Sequence, residues 1–145
     1  MKKGFTLIEL LVVIAIIAML SSLSVVALNS ARAKSRDARR LSDIKQIRTA
    51  LEMYYDNNQS YPGGTNTELG STTAACFNSI SGFTSATNCP ATVYMQIVPK
   101  DPMANTGAKY VYTQNGSGAT YTIEYKLEGA ATTSKAGPES MGYSN

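Results

Sequence analysis

The side chains that most often perform chemistry in proteins are scarce in this chain of 145 residues. Histidine is absent and cysteine occurs twice, so the commonest general base is missing and a Cys/His zinc cluster cannot be completed. No phosphate-binding glycine loop and no nucleophile–base pair stands out in the sequence. Closely spaced oxygen ligands for calcium are also lacking, with Asp101 the best single candidate. The residues therefore predict no enzymatic activity, no catalytic residue, no cofactor and no metal site.

One carboxylate stands in an unusual place. Glu9 is the only charged residue between Lys3 and Arg32, and it lies near the start of the apolar segment Phe5–Leu28. A carboxylate in hydrocarbon costs free energy, and a segment that only anchors a protein gains nothing from it. The 24 residues of this segment would form a helix of roughly 36 Å, enough to cross a hydrocarbon core of about 30 Å. Glu9 is therefore a candidate functional residue inside a membrane-spanning helix.

A simpler interpretation of the N-terminus is an ordinary secretory signal peptide. Lys2 and Lys3 would form its basic region, and Ser22-Leu23-Ser24 would be a small-residue cleavage site. Glu9 argues against this interpretation, and so does the return of apolar character at Val25–Leu28. The segment is able to span a membrane as well as to target the chain to it.

The N-terminal residues Lys2–Leu23 resemble the class III leader and first helix of type IV pilins and type II secretion pseudopilins. The resemblance rests on a short basic leader, a glycine, a new aromatic N-terminus and a lone glutamate: Lys2, Lys3, Gly4, Phe5, Thr6, Leu7 and Glu9. It implies that a membrane-embedded prepilin peptidase cleaves between Gly4 and Phe5 and methylates the new amine of Phe5. It further implies a role for Glu9 in assembly, by pairing with the Phe5 amine of a neighbouring subunit.

The same resemblance implies the partners and the location of the chain. The leader stays in the cytoplasm, in agreement with the positive-inside rule; the apolar helix lies in the cytoplasmic membrane, and the head lies outside. The expected partners are the prepilin peptidase, the assembly platform in the membrane, other pilins, membrane lipid before assembly, and copies of the chain in a helical filament. That filament is an extracellular pilus or a pseudopilus of the envelope. Major pilins, minor pilins and pseudopilins share these features.

A single-pass anchored ectodomain that binds a ligand and never polymerises is the alternative from another class. The membrane helix also departs from many pilins, because Ala18 and Val26 stand where a glycine or proline is common. Ser21, Ser22 and Ser24 supply a possible soft spot instead, since serine can bond back to the preceding turn and bend a helix.

A second pattern begins where the continuous apolar run ends. Apolar residues then recur every three or four positions, which is typical of an amphipathic helix: Ala31, Ala38, Leu41, Ile44, Ile47, Leu51 and Tyr54. Since Gly and Pro are absent between Phe5 and Tyr61, we predict one helix from Phe5 to Asp56, roughly 78 Å long at about 1.5 Å per residue. Asn57 and Asn58 end it, and Pro62-Gly63-Gly64 prevents its continuation.

Basic residues cluster at the start of the amphipathic stretch, and the net charge of +3 hides this asymmetry. Residues 32–48 hold seven basic and two acidic side chains, whereas residues 49–145 hold four basic and seven acidic ones. Three interpretations are open for the basic side chains of residues 32–40: a solvated face that also binds acidic phospholipid headgroups, contacts between filament subunits, and DNA capture. Nucleic acid is the least expected partner, because duplex binding requires several phosphate contacts on an accessible surface.

The two cysteines lie in a polar segment, Thr65–Pro90, that composition alone predicts to be a flexible loop. Cys76 and Cys89 have no metal-binding spacing, and the chain is directed out of the cytoplasm, so a disulfide between them is the expected state. Such a bridge closes a loop of 14 residues and contributes about 3 kcal/mol in the chain-entropy model.

The C-terminal third predicts antiparallel strands over Val93–Val98, Lys109–Thr113 and Tyr121–Glu128, with a hairpin turn at Asn115–Gly118 and a loose tail from Gly129. The predicted fold class is therefore α+β: a long N-terminal helix whose second half packs on a small antiparallel sheet. The expected segments are a cleaved leader (1–4), a membrane and filament-core helix (5–28), the amphipathic half of that helix (29–56) and a globular head (57–145).

Overall fold

The computed structural model describes residues 4–89, 92–130 and 132–138. It divides the chain into two units, Met1–Ser35 and Arg36–Asn145. One long helix is followed by small antiparallel sheets, so the predicted α+β class is confirmed.

The helix α1 covers Leu7–Asn58, a length of 52 residues. It begins and ends two residues later than predicted. At its C-terminus the side-chain amides of Asn57 and Asn58 donate to the carbonyl oxygens of Met53 and Tyr54, at 3.1 and 3.0 Å. Gln59 then takes a left-handed conformation with φ of 54°, which stops the helix without a glycine.

The first unit is helical from Leu7 and has no core of its own. Every residue from 4 to 32 is exposed, although most of these side chains are apolar. By length and composition, α1 is able to span a membrane. The hydroxyls of Ser22 and Ser24 donate to the carbonyl oxygens of Met19 and Leu20, at 2.8 and 2.9 Å, which is the back-bonding expected of these serines.

Among its described residues, the second unit contains seven short strands in two antiparallel sheets. They are β1 (Thr67–Glu68), β2 (Cys76–Asn78), β3 (Gly82–Thr84), β4 (Val93–Met95), β5 (Val111–Asn115), β6 (Thr120–Tyr125) and β7 (Ser134–Ala136). The larger sheet has the order β1-β5-β6-β7 and the smaller one the order β3-β2-β4. Short 3₁₀ turns cover Ala86–Asn88, Ala104–Thr106 and Gly116–Gly118.

The predicted C-terminal hairpin is present. β5 pairs with β6 across the turn at Gly116–Gly118, where Ser117 and Gly118 have φ of 53° and 97°. Along β6 the side chains of Tyr121, Ile123 and Tyr125 are buried and their neighbours are half-buried, so the alternation in the sequence identifies the core face correctly.

Two predictions about the head were wrong. The segment Thr65–Pro90 is more than a loop, because it holds β1, β2 and β3; Pro90 lies outside the described residues. The tail after Gly129 includes β7, whose Ser134 and Ala136 are buried against β6. Strands of two or three residues are too short to show a period of two, so backbone pairing decides them. The three predicted strands also differ at their ends from β4, β5 and β6.

The core of the second unit is rich in aromatic rings. The predicted helix stripe is buried from Ile44 onward, with Leu41 half-buried, but Ala31 and Ala38 are exposed. Against this stripe pack Tyr110, which precedes β5, and side chains of both sheets, namely Phe77, Tyr112, Tyr121, Ile123 and Tyr125. Rings of the two sheets also meet directly, since the centroids of Phe83 and Tyr112 lie 5.0 Å apart. The sheets and the helix therefore share one core.

Candidate functional site: the N-terminal assembly segment and an arginine cluster

The residues Gly4–Glu9 hold the predicted processing and assembly positions, and all of them are exposed. A Cβ built on Gly4 meets no atom of the described residues within 4 Å, and Gly4 does not require a left-handed backbone. Phe5 is 82% exposed. The peptide bond between Gly4 and Phe5 is thus accessible, and no contact with residues from Phe5 onward demands glycine at position 4.

Glu9 forms hydrogen bonds within its own chain. Its Oε2 accepts the backbone N–H of Thr6 at 2.8 Å and the hydroxyl of Thr6 at 2.6 Å. The backbone N–H of Glu9 donates in return to the Thr6 hydroxyl oxygen at 3.3 Å. Because α1 begins at Leu7, Thr6 and Glu9 occupy the N-cap and N3 positions, and this reciprocal pair is a capping box.

The capping box corrects one step of the sequence argument. A helix that only anchors a protein does have a use for Glu9, since the carboxylate satisfies a backbone donor that has no partner within the helix. The signal was readable as Thr6-x-x-Glu9, and the sequence interpretation missed it. Glu9 alone consequently does not separate a polymerising subunit from an anchored ectodomain.

The predicted disulfide is present between Cys76 and Cys89, whose Cα atoms are 6.1 Å apart. Cys76 is fully buried at the start of β2, and in the ladder with β3 it lies opposite Thr84. The bridge therefore ties the segment after β3 to the interior of the smaller sheet.

The start of the second unit carries a group of charged side chains that we call the arginine cluster: Arg36, Asp37, Arg40, Asp101 and Glu128. Arg40 is 1% exposed and donates to both carboxylate oxygens of Asp101, at 2.8 and 3.0 Å. Its remaining terminal nitrogen, Nη1, donates to Asp37 at 2.6 Å and to Glu128 at 2.9 Å. Arg36 donates two further hydrogen bonds to the carboxylate of Glu128, at 2.5 and 2.6 Å.

The cluster joins three separate parts of the second unit: α1, the loop after β4 and the segment after β6. A buried arginine with paired donors and acceptors is strongly held, because each unmet bond would leave a charge desolvated. Hydrogen bonds from Arg36 and Arg40 lower the pKa of Glu128 to about 2. Hydrogen bonding to Asp101 in turn raises the pKa of Arg40. Arg40 and Glu128 are therefore ionised throughout the physiological pH range.

A fourth carboxylate near the cluster, Asp43, has a raised pKa, in contrast to Glu128. Asp43 is buried on α1 and accepts the hydroxyl of Tyr110 at 3.1 Å. Burial raises the pKa of Asp43, and the nearby charge of Asp101 raises it further, against the hydrogen bond from Tyr110 and the charge of Arg39. The pKa of Tyr110 is raised as well, mainly by burial.

Asp101, the best metal-ligand candidate in the sequence, is an ion-pair partner of Arg40 and also accepts the backbone N–H of Met103 at 2.7 Å. Among the described residues, no three His, Cys, Asp or Glu side chains gather in a way that could hold a metal ion. Sequence reasoning missed the arginine cluster, because its members are far apart in the chain and have no common motif.

The structure also separates the basic residues of the 32–40 stretch into two groups. Arg36 and Arg40 face carboxylates of the head, whereas Arg32, Lys34 and Arg39 are exposed. The sequence offered no means to tell these groups apart.

An exposed apolar first helix followed by a small antiparallel head is the architecture of pilin-like structural subunits. Residues 1–25 match the prokaryotic N-terminal methylation motif, and residues 26–136 match the type II secretion system (T2SS), protein G family. The chain belongs to the type II secretion system protein G family. Members of this family are structural subunits, so the prediction that the chain is not an enzyme is confirmed.

Curated relatives include the type II secretion system core protein G of Escherichia coli (strain K12), 34% identical over 84% of this chain and 79% of the relative. The protein of the same name from Pectobacterium carotovorum subsp. carotovorum is 35% identical over 70% of this chain and 62% of that protein. The type IV major fimbrial protein FimA of Dichelobacter nodosus is 42% identical over 36% of this chain and 33% of its own length. No solved structure matched the chain.

Proposed function

We propose that this chain is a prepilin that is cleaved between Gly4 and Phe5 by a prepilin peptidase, methylated at Phe5, and assembled with copies of itself into a helical filament. Before assembly, residues 5–28 anchor the chain in the cytoplasmic membrane, and the head lies outside. An assembly platform in the membrane, acting with other pilins, then extracts the chain. A pseudopilus is the favoured filament, because the protein G match covers residues 26–136 whereas the fimbrial relative covers 36% of the chain.

The observation that carries this proposal is the uncovered apolar surface of the first unit. Leu10, Ile14 and Ile17 are each more than half exposed, and the same holds for most apolar side chains of residues 5–28. Exposure of such a surface to water is unfavourable in free energy because of the hydrophobic effect. Lipid covers it in a membrane, and the helices of neighbouring subunits cover it in a filament by close packing.

Gly4 supports the cleavage step. Since no atom of the described residues and no backbone strain restricts position 4, the glycine is better explained by recognition in a peptidase active site than by the fold. The expected product begins at Phe5 with a methylated amine, and an intact mass measurement identifies it. A mature N-terminus near Val25 would instead indicate ordinary signal peptidase.

The test of assembly must separate the charge of Glu9 from its role in the capping box. Glu9→Gln keeps the capping box, because glutamine also serves at N3, but it cannot form an ion pair with the Phe5 amine. Glu9→Ala removes both functions. Thr6→Ala removes the hydroxyl and keeps the carboxylate. Filaments are counted by electron microscopy in cells whose only copy is the variant, beside a blot of the membrane fraction.

If a charge pair holds the filament register, Glu9→Gln loses filaments as severely as Glu9→Ala, and Thr6→Ala keeps most of them. Removing one partner of a buried pair typically costs about 3 to 5 kcal/mol, enough to abolish filaments while membrane levels stay normal. Normal filaments from Glu9→Gln would refute charge pairing and assign Glu9 to helix capping alone.

The capping box is equally compatible with a second candidate, the anchored ectodomain that never polymerises. In that case Glu9 only completes the end of a membrane helix, and no variant changes a filament, because none forms. Electron microscopy of material sheared from cells that express the unaltered chain decides between the two candidates.

A further inference from the structure

We propose that the disulfide between Cys76 and Cys89 is a site of thiol–disulfide exchange at which external reagents react with one sulfur only, that of Cys89. Cys76 serves as the leaving thiol when the bridge is reduced and as the resolving thiol when it is formed. This inference concerns the folded second unit and depends neither on membrane insertion nor on filament formation.

The two cysteines differ in their access to solvent. Cys76 is 0% exposed and belongs to β2, which lies between β3 and β4 in the smaller sheet. All three residues of β2 are buried. Cys89 is half-buried and lies outside the strands, directly after the 3₁₀ turn Ala86–Asn88. An external molecule therefore reaches Cys89 from solvent, whereas reaching Cys76 requires the sheet to open.

The segment that carries Cys89 is only lightly attached to the smaller sheet. Ala86 and Thr87 are exposed, and the hydroxyls of Ser85 and Thr87 bond to each other at 3.1 Å. Within the part of the chain that the structure describes, no hydrogen bond joins residues 86–89 to a strand. The disulfide is thus the main attachment of this segment, and the segment can yield to an incoming molecule without loss of backbone pairing.

The geometry of the exchange reaction makes the difference in access decisive. The attacking sulfur, the attacked sulfur and the leaving sulfur lie nearly in line, so the attacking thiolate approaches from the side opposite the leaving group. Attack on Cys89 comes from the side away from Cys76, which is the side away from the sheet interior. Attack on Cys76 would have to come through that interior, where β3 and β4 flank β2.

The reaction then proceeds in two steps whose bonds balance. In reduction, an external thiolate forms a bond with the sulfur of Cys89, the bond between the two cysteines breaks, and Cys76 leaves with the electron pair and takes a proton. A second external thiol then attacks the sulfur that was added, releases Cys89 and forms an external disulfide. In oxidation, an external disulfide forms a mixed disulfide with Cys89, and Cys76 attacks Cys89 to expel the external thiol.

The burial of Cys76 also selects the kind of partner. A buried cysteine is inert toward outside reagents, and β2 keeps Cys76 beside the mixed disulfide, where it can reform the bridge and expel a single thiol. A partner with two thiols avoids this reversal, because its second thiol completes the reduction by closing the partner's own disulfide. The site therefore favours a dithiol over a monothiol of equal reactivity.

The first experiment uses the unaltered full chain in detergent micelles with the bridge intact. Reduced glutathione is the monothiol probe, the reaction is stopped with acid and an excess of maleimide, and peptide mapping by mass spectrometry locates both labels. We expect glutathione on Cys89 and maleimide on Cys76. Dithiothreitol, the dithiol probe, should open the bridge with less mixed disulfide accumulating.

The second experiment compares two matched variants, each with one remaining thiol. Oxidised glutathione is added to Cys76→Ser and to Cys89→Ser, with and without urea, and near-ultraviolet circular dichroism reports whether the variant is folded. The thiol of Cys89 should react about as fast in the folded chain as in urea. The thiol of Cys76 should react about 100-fold more slowly in the folded chain than in urea, because its reaction waits for local opening of the sheet.

Glutathione found on Cys76, or on both cysteines equally, would overturn the proposal. So would a folded Cys89→Ser chain whose thiol reacts as fast as in urea. An unaltered chain that gains no adduct at glutathione concentrations that label it in urea would show that Cys89 is closed to outside thiols, and this too would overturn the proposal. Where a single variant fails to fold, the mapping of the unaltered chain decides the outcome.

Discussion

The two units of this chain use apolar residues in opposite ways. In the first unit, leucine, isoleucine and valine are abundant and exposed. In the second, aliphatic side chains such as Ile47, Leu51 and Ile123 are buried, and tyrosines, a disulfide and a buried arginine complete the interior. The first unit thus depends on its surroundings for burial, whereas the second contains its own core. The filament subunit proposed above would need both properties, because its head must stay folded while its helix passes from lipid to protein.

Removing Arg40 from the arginine cluster is expected to give the largest loss of unfolding free energy in the head. Arg40→Ala leaves Asp101 buried without its partner, and breaking a buried pair in this way costs about 3 to 5 kcal/mol of unfolding free energy. The measurement is urea unfolding of the full chain in detergent micelles, followed by near-ultraviolet circular dichroism of the tyrosines. Arg39→Ala is the matched control, because it removes an exposed arginine next in the chain and should cost less than about 0.5 kcal/mol. Similar losses from the two variants would show that the cluster contributes nothing particular to the head.

A pair of leucines on the same helix tests the contrast directly. Leu51 is 0% exposed in the head and Leu11 is 55% exposed in the first unit. Leu51→Ala should lower the unfolding free energy of the head by about 2 to 5 kcal/mol through lost burial and the cavity it leaves. Leu11→Ala should leave the head unfolding midpoint unchanged in the same micelles. A destabilised head in Leu11→Ala would mean that the two units are not independent in stability.

Loss of the disulfide should destabilise the head by an amount in the lower half of these ranges. The double variant Cys76→Ser/Cys89→Ser should lose about 3 kcal/mol, the entropic value for a loop of this length, and the segment 77–88 should exchange its amide hydrogens faster. Thiol reductant should shift the midpoint of the unaltered chain in the same direction and leave the double variant unaffected. An unaltered chain that ignores reductant would indicate that local packing, and not the bridge, stabilises the smaller sheet.

The pH dependence of the unfolding free energy should show the smallest effect. Glu128 and Asp43 should change it in opposite directions, because the pKa of Glu128 is lowered and that of Asp43 is raised. The pKa of Glu128 is lowered in the folded state to about 2, so its stabilising contribution is present above its unfolded pKa of about 4.3 and is lost as the pH falls from about 5 to about 2. Glu128→Gln should reduce the loss of unfolding free energy over this pH range.

The pKa of Asp43 is raised, so its ionisation destabilises the fold at neutral pH. Asp43→Asn should therefore increase stability at pH 7 but not at pH 3. Urea midpoints at several pH values supply the measurement, and a gain for Asp43→Asn that persists at pH 3 would contradict the assignment.

The sequence predicts the first unit well because one physical property dominates it. A continuous apolar segment without glycine or proline leaves little choice but a long helix, and α1 differs from the prediction by two residues at each end. β6 was equally readable, since six residues are enough to display alternation. The cysteine pair followed from the absence of any other cysteine and from the expected export of the chain.

The rest of the head was less predictable because its determinants are non-local. Nothing near Arg40 in the sequence points to Asp101 or Glu128, which lie 61 and 88 residues away. β1, β2, β3 and β7 have three residues or fewer, so they depend on backbone pairing with strands already placed. The capping box at Thr6 and Glu9 is different, because its motif is local; it was missed when the lone charge was interpreted only through the membrane.

The position of β7 affects how readily copies of this chain can associate through the edges of their sheets. Lys135 lies opposite Glu124 in the ladder and pairs with it at 2.8 Å, so β7 covers the outer backbone groups of β6. A chain cut before Ser134 would expose those groups on a strand that carries Tyr121, Ile123 and Tyr125, an open template for sheet-to-sheet growth. Few proteins are brought together as densely as filament subunits. In the filament proposed above, the last strand would therefore favour contact between helices over contact between sheets, and C-terminal proteolysis would open an edge for sheet-to-sheet growth.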